Sequence, residues 1–252
     1  MVGVAQLVEP RIVIPVVVGS SPIIHPIFYI VLYQTLSFQP NTQNIQLQNN
    51  QIHLWHLPFK KNADQYWKLC SKEEQARAKR YLRPLQGEQF IFFRSTMRTI
   101  LATYLKKSAT ELVFKTTMDG KPYLLENLTF NLSHCEQTAV LAVAKNIELG
   151  IDIEKINLSK QWQGIAEKMF TLEQCQNLLV PMTDCEKATL FTTYWTELEA
   201  LQKCLGTGLF KEKACLENFS TFYSKTLEPY IICLAWEKGN LKEEFEIMGY
   251  CY

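Results

Sequence analysis

The chain has 252 residues, 47% of them hydrophobic and 20% charged, which suits one large or two small globular domains and excludes a disordered chain. With 26 basic and 25 acidic side chains the formal charge is +1, so a uniformly basic nucleic-acid coat is excluded as well. Eight cysteines stand at 70, 135, 175, 185, 204, 215, 233 and 251 with no C-x-x-C pair. That spacing argues against a zinc ribbon or a secreted disulfide scaffold, and for free thiols in a reducing cytoplasm.

Residues 1–50 carry only Glu9 and Arg11 as charged side chains. Residues 12–36 are apolar, but Pro15, Pro22, Pro26 and the Gly19-Ser20-Ser21 turn interrupt them. They fall short of the roughly 20 unbroken apolar residues of a membrane-spanning helix. A signal peptide would need more basic character at its start than Arg11 supplies. Gln and Asn crowd 39–51, a linker composition, so residues 1–45 are expected to be an extension outside the main domain. The segment 51–57 alternates as a strand does. Ser71 and Glu74 make an S-x-x-E capping box that opens a helix to about residue 81. After Pro84, residues 87–105 carry a helical stripe of Phe90, Phe93, Met97, Ile100, Leu101 and Tyr104. Strands are expected over 111–114, 130–132, 139–144 and 149–154, with turns at 119–120, 133–136 and 145–146. Helices over 162–170 and about 184–205 follow, the second closed by Gly206 and Gly208, and a last strand covers 230–236. Helices followed by strands, twice over, predict an α+β fold of two similar halves, 46–148 and 149–252.

The charge is unevenly placed. Residues 72–121 hold eleven basic and five acidic side chains, and residues 122–202 hold five basic and eleven acidic ones. A basic segment beside an acidic one can bind a polyanion and a metal ion together, although charges scattered over solvated faces would give the same count. In the strand L-G-I-D-I-E, Asp152 and Glu154 share one face while Ile151 and Ile153 take the other. Paired carboxylates suit Mg²⁺, and they equally suit a solvated acidic strand face. Glu199 and Lys203, four apart in W-T-E-L-E-A-L-Q-K, share a helical face, which by itself is an ordinary surface pair. Ser133 and His134 in F-N-L-S-H follow a short strand, with no G-x-S-x-G elbow to make them a hydrolase site. Lys121 follows the Asp119-Gly120 turn and precedes Pro122, a plausible phosphate contact. Arg94 and Arg98, one turn apart, could grip phosphate oxygens or lie in solvent.

The order of these motifs (a basic helix, R-S-x-x-R, G-K-P, F-N-L-S-H, G-I-D-I-E and W-x-x-x-E-A-x-x-K) resembles the 4′-phosphopantetheinyl transferases of the surfactin-synthetase-activating (Sfp) type. The similarity runs over about 51–208. It implies a pseudo-twofold α+β monomer that binds coenzyme A and Mg²⁺, or Mn²⁺ in its place, between two halves. It implies transfer of the 4′-phosphopantetheine arm to a serine of an acyl or peptidyl carrier protein, with release of adenosine 3′,5′-bisphosphate and broad carrier choice. By matching motif, Asp152, Glu154 and Glu199 would hold the metal, and Glu199 would also take the serine proton. Lys203 would neutralise the pyrophosphate as its bond breaks. Lys121, Ser133 and His134 would bind the adenosine and 3′-phosphate end of coenzyme A, with Arg94 and with Arg77 or Arg80. One position departs: the family's W-x-x-K-E-A reads W-T-E-L-E-A here, with Leu198 on the apolar stripe of its helix. Two other readings stay open, a non-catalytic relative that binds coenzyme A or carrier proteins, and a metal-dependent nucleotide pyrophosphate hydrolase.

Overall fold

The alternation of apolar side chains along three long strands decides how the layers stack. In the computed structural model, which describes residues 33–40, 45–61, 64–158, 162–206, 218–238 and 245–252, these are β2 (Gln51–Pro58), β6 (Thr138–Ala144) and β9 (Tyr230–Glu237). Each is buried on both faces, as a strand between two layers must be. On β6, Ala139, Leu141 and Val143 face one cluster while Val140, Ala142 and Ala144 face another. The first cluster is completed by Ile91, Phe92, Met97 and Leu101 from α3 (Pro84–Leu105), the second by Ile151, Ile153, Ile232 and Leu234 from the other sheet. The chain is therefore a mixed α+β fold with two sheets back to back between helices. β10 (Glu246–Cys251) runs parallel to β2 and to β1 (Phe38–Pro40), and β5 (Thr129–Cys135) closes the order β1-β10-β2-β6-β5. The second sheet is β7-β9-β8, from β7 (Leu149–Lys155) and β8 (Phe219–Ser224). α6 (Asp184–Leu205) covers it through Ala200, Leu201 and Cys204 against Cys233 and Ala235.

Local chemistry explains where the elements begin. Both sides of the Ser71–Glu74 capping box form, opening α2 (Lys72–Ala78), and Thr183 with Glu186 does the same for α6. Pro84 opens α3 at its first position, where a missing N–H costs nothing, so α3 starts before residue 87 and α2 stops before residue 81. The strand expected over 111–114 is instead a 3-10 turn, Ala109–Glu111, followed by the short hairpin β3 (Lys115–Thr116) and β4 (Pro122–Tyr123). Ser108 makes a capping box with Glu111, and that local bonding wins over strand propensity. Several elements lie beyond the sequence expectation: β1, α1 (Asp64–Trp67), α5 (Leu172–Leu179), β8 and β10. With α4 (Gln163–Met169), α5 packs Phe170 and Leu178 on Phe191 and Tyr194 of α6, and Leu198 is partly buried against the same cluster.

Part of the segment expected to lie outside the domain is drawn into it. β1 pairs in parallel with β10, Leu36 is 2% exposed, and Tyr33 forms a bridge to Tyr223 on β8. The reason is an otherwise open edge of β10, which β1 pairs. Residues 1–32 lie outside the described residues. No helix among the described residues is long and apolar enough to cross a membrane, and the seven described cysteines are free.

Candidate active site at the seam between the sheets

β5 and β7 are the outer strands of their sheets, and their edges meet. The Ile151 amide of β7 donates to Asn131 Oδ1 of β5 at 3.0 Å, and Ser133 Oγ donates to Asp152 Oδ1 at 2.7 Å. Asn131 and Ser133 are two apart and so share a face of β5. At the outer end Lys155 Nζ bonds both carboxylate oxygens of Glu136, 3.0 Å each. The seam is thus closed by side chains rather than by a ladder.

Asp152 is 2% exposed. Its Oδ1 also accepts from Lys203 Nζ at 2.5 Å, and Lys203 Nζ donates to Ser133 Oγ at 3.0 Å. Glu199 Oε2 lies 3.6 Å from the same ammonium, one helical turn back on α6. Gly150 makes this approach possible: a Cβ there would lie 2.1 Å from Ala200 O and 2.2 Å from Cys204 N. Asp152 Oδ2 is buried with no hydrogen-bond partner, so this oxygen, unlike Oδ1, has room for a further polar or cationic partner. Ser133 of β5, Asp152 of β7 and the Glu199–Lys203 pair of α6, three elements distant in sequence, therefore form one cluster.

The other sequence-derived candidates are placed differently. Glu154 is half-buried further along the Asp152 face of β7, and among the described residues no three His, Cys, Asp or Glu side chains converge as a metal cluster. The Lys203 ammonium, between Asp152 and Glu199, balances these carboxylates instead. Ser133 and His134 fall within β5 rather than in a turn, so they take opposite faces of the strand. His134 stacks on Phe93 of α3, ring centroids 5.7 Å apart. His134 is exposed at its outer edge, but desolvation of its ring first, and next the Lys203 charge, lower its pKa below the usual imidazole value, so it is neutral at pH 7. Arg94 and Arg98 do not form a free phosphate clamp: their Nε atoms bond the two oxygens of Glu74 at 2.5 and 2.9 Å. Burial would raise the Glu74 pKa, but the Ser71 amide and the two guanidiniums outweigh it and hold it low. Arg77 lies over the Phe90 ring and, like Arg80, is exposed. Lys121 departs furthest. Its Nζ bonds Glu148 Oε2, Leu149 O and Cys204 O, and so is tied to the protein instead of standing open to a phosphate. Asn131 and Gly150, which sequence reasoning passed over, both lie inside motifs it used; Asn131 could have been found by its sharing a strand face with Ser133.

A buried acid held by serine and lysine, with a second carboxylate in reach and basic helices nearby, is equipment for handling phosphate anions. Comparison with known proteins agrees. Residues 148–248 match the 4′-phosphopantetheinyl transferase superfamily, and residues 53–146 match the 4′-phosphopantetheinyl transferase N-terminal family. The 4′-phosphopantetheinyl transferase HetI of Nostoc sp. is 32% identical over 180 residues, covering 68% of this chain and 76% of that protein. The human L-aminoadipate-semialdehyde dehydrogenase-phosphopantetheinyl transferase is 27% identical over 59% of this chain and 56% of its own. The 4′-phosphopantetheinyl transferase gsp of Aneurinibacillus migulanus is 26% identical over 56% of this chain and 57% of its own. The chain belongs to the 4′-phosphopantetheinyl transferase superfamily, and that is its enzyme class.

Proposed function

We propose that this protein transfers the 4′-phosphopantetheine group of coenzyme A to a serine of an acyl or peptidyl carrier protein, with Mg²⁺, releasing adenosine 3′,5′-bisphosphate. The observation that supports this best is the Ser133–Asp152–Lys203 cluster, with Glu199 beside it, at the seam of a chain in this superfamily. The orphaned Asp152 Oδ2 fits a hard cation, which would be held by Asp152 and Glu199, with Glu154 as the remaining candidate and phosphate oxygens and water completing the shell. When bound, the ion neutralises charge on the pyrophosphate.

The chain's own side chains then have separate tasks. The carrier serine Oγ attacks the phosphorus that bears the pantetheine arm, and the bond from that phosphorus to the adenosine-side phosphate oxygen breaks. Glu199, with 20% of its side chain exposed, is reachable from solvent and takes the serine proton. Lys203 supplies positive charge for the leaving phosphate, as an ion fixed in place beforehand can. Ser133 and Asp152 hold that ammonium in position. Neutral His134 and the exposed Arg77 and Arg80 serve the 3′-phosphate and adenosine end, together with the outer edge of Arg94.

Incubating apo carrier protein with coenzyme A, Mg²⁺ and this protein, and reading the intact mass of the carrier, tests the reading. A gain of one phosphopantetheine group supports it. Adenosine bisphosphate without carrier modification would make the protein a hydrolase, and neither product would make it a binding relative. Glu199→Gln keeps the shape and removes the base. Turnover is expected to fall about 10²–10⁴-fold while coenzyme A still binds; turnover near the wild-type rate would assign the proton to another group.

A further inference from the structure

We infer that Glu197 and Tyr223 are positioning residues: their buried bond sets where α6 lies across the second sheet, and so where Glu199 and Lys203 stand relative to Asp152. The inference rests on the transferase reading above. Its ground is one row of residues that crosses the sheet. Asp152 of β7 lies opposite Cys233 of β9, Cys233 lies opposite Tyr223 of β8, and Tyr223 bridges to Tyr33. Residues opposite one another across a ladder share a face, here the face that α6 covers with Ala200, Leu201 and Cys204. Three members of the row bond the helix. Tyr33 OH lies 2.5 Å from Thr193 Oγ1, Tyr223 OH donates to Glu197 Oε1 at 2.5 Å, and Asp152 Oδ1 accepts from Lys203 Nζ at 2.5 Å. Thr193 Oγ1 gives its own proton to Thr189 O at 2.8 Å, so Tyr33 is the donor to it. The spacings agree: from Thr193 to Lys203 a helix rises about 15 Å, and the three strand spacings from Tyr33 to Asp152 come to about 14 Å.

Of the three bonds, the middle one fixes position most tightly. Glu197 is 6% exposed and Tyr223 9%, and a buried carboxylate is costly unless it is bonded. The apolar contacts of Ala200, Leu201 and Cys204 are non-directional and let a helix slide, whereas a bonded carboxylate has one place to be. The helix just before Glu197 needs such a fix. Thr192 Oγ1 bonds back to Ala188 O at 2.7 Å, and Thr196 Oγ1 to Thr192 O at 2.6 Å, as Thr193 does to Thr189 O. Back-bonding of this kind loosens and bends a helix. Glu197 stands at the end of that run, two residues before Glu199 and six before Lys203. At the other side of the sheet, Gly150 lets α6 come down on β7 at Ala200 and Cys204. The helix is therefore located at β8 by a bond and at β7 by a close approach, with Glu199 carried on the span between them.

Glu197→Leu combined with Tyr223→Phe replaces the bonded pair by apolar groups and leaves neither partner orphaned, so little stability should be lost. Three measurements on the full chain decide: melting temperature, amide hydrogen exchange over residues 197–203, and kcat for transfer well below melting. The double variant should melt within about 4 °C of wild type. Its exchange should nevertheless accelerate, and its kcat should fall about tenfold or more, as small misplacements of reacting groups cause. Glu197→Gln keeps an acceptor for the Tyr223 hydroxyl and should recover most of both losses. A double variant as fast as wild type overturns the inference. So does Glu197→Gln as slow as the double variant, or a kcat that simply follows melting temperature across the variants. If wild type transfers nothing, the transferase reading fails and exchange alone judges the anchor. Acceleration in the double variant but not in Glu197→Gln then supports it, and equal exchange in all three overturns it. If the double variant does not fold, Tyr223→Phe, which removes a single hydroxyl, is measured in its place: faster exchange and a lower kcat support the anchor, and wild-type values of both overturn it.

Discussion

Asp152 takes two bonds on one oxygen and none on the other, and that asymmetry sets what its replacement should do. From the strand pattern alone its side chain looks free to be trimmed without harm to the fold. Its 2% exposure says otherwise. Asp152→Ala would leave the Lys203 ammonium and the Ser133 hydroxyl without their shared acceptor, and removing one partner of a buried pair is costly. Lys203 keeps 30% of its side chain exposed, so water softens the penalty to about 1–3 kcal/mol. Asp152→Asn retains an oxygen for both donors and removes the charge. We expect both variants to lose Mg²⁺-dependent transfer, with the alanine variant melting clearly below the asparagine one in a thermal scan. Substantial transfer by Asp152→Asn would show that the carboxylate charge is not needed. Leu198 shows how far residue reading reached. Its apolar stripe is real, and it is partly buried against the cluster formed by Phe191 and Tyr194. The apolar residues that follow it on α6 turn elsewhere, since Leu201 packs on the sheet and Leu205 is 41% exposed.

Elements whose signals are local were legible in the sequence, and elements held by distant partners were not. β2, β6, β7, α3 and α6 announce themselves by period and by caps. β8 and β10 become strands only because β9 and β2 offer them edges, which no window of sequence contains. The turn expected at 133–136 shortens for a related reason. Pairing of β5 with β6 holds as far as Cys135 opposite Thr138, leaving Glu136 in the left-handed conformation at the bend. That register places Ser133 against Asp152. The motifs could therefore be read as a set, but the bond from Asn131 to the β7 edge and the diversion of Arg94 to Glu74 required the fold. Gly150 tests the contact between β7 and α6 directly. A methyl group there meets backbone atoms, which cannot rotate away, so Gly150→Ala should cost about 3 kcal/mol or more and weaken the Lys203–Asp152 contact. Thermal melting together with transfer rate checks this; a variant as stable and active as wild type would mean the helix can shift without consequence.

At the scale of the whole molecule, stability should depend on pH through a histidine far from the seam. His53 is fully buried between β2 and α3, with Nδ1 2.8 Å from Tyr104 OH, its ring against Tyr250, and Gln51 linking it towards Glu246. Burial lowers its pKa to about 4, and His56 is depressed in the same direction. A depressed pKa means that the unfolded chain takes up the proton first. The contribution is present above about pH 6.5 and is lost as pH falls towards 4, about 3 kcal/mol for His53. His53→Gln should flatten melting temperature across that window relative to wild type, and equal slopes would assign the loss elsewhere. The remaining global feature is the strap over 33–40. It pairs with β10 of one sheet, while Tyr33 bridges to Tyr223 of the other and hydrogen-bonds Thr193 of α6 at 2.5 Å. It thus spans the two sheets through the edge strands β1 and β8, whereas the candidate site lies between the other two edge strands, β5 and β7. A chain beginning at residue 41 loses the β1 ladder, the burial of Leu36 and the tyrosine bond, together about 3 kcal/mol or more. Compared with a chain beginning at residue 33, it should melt lower and bind coenzyme A less tightly, because the sheets that form the seam are no longer held at their far edges. Equal melting temperatures for the two truncations would show that the sheets hold together without the strap.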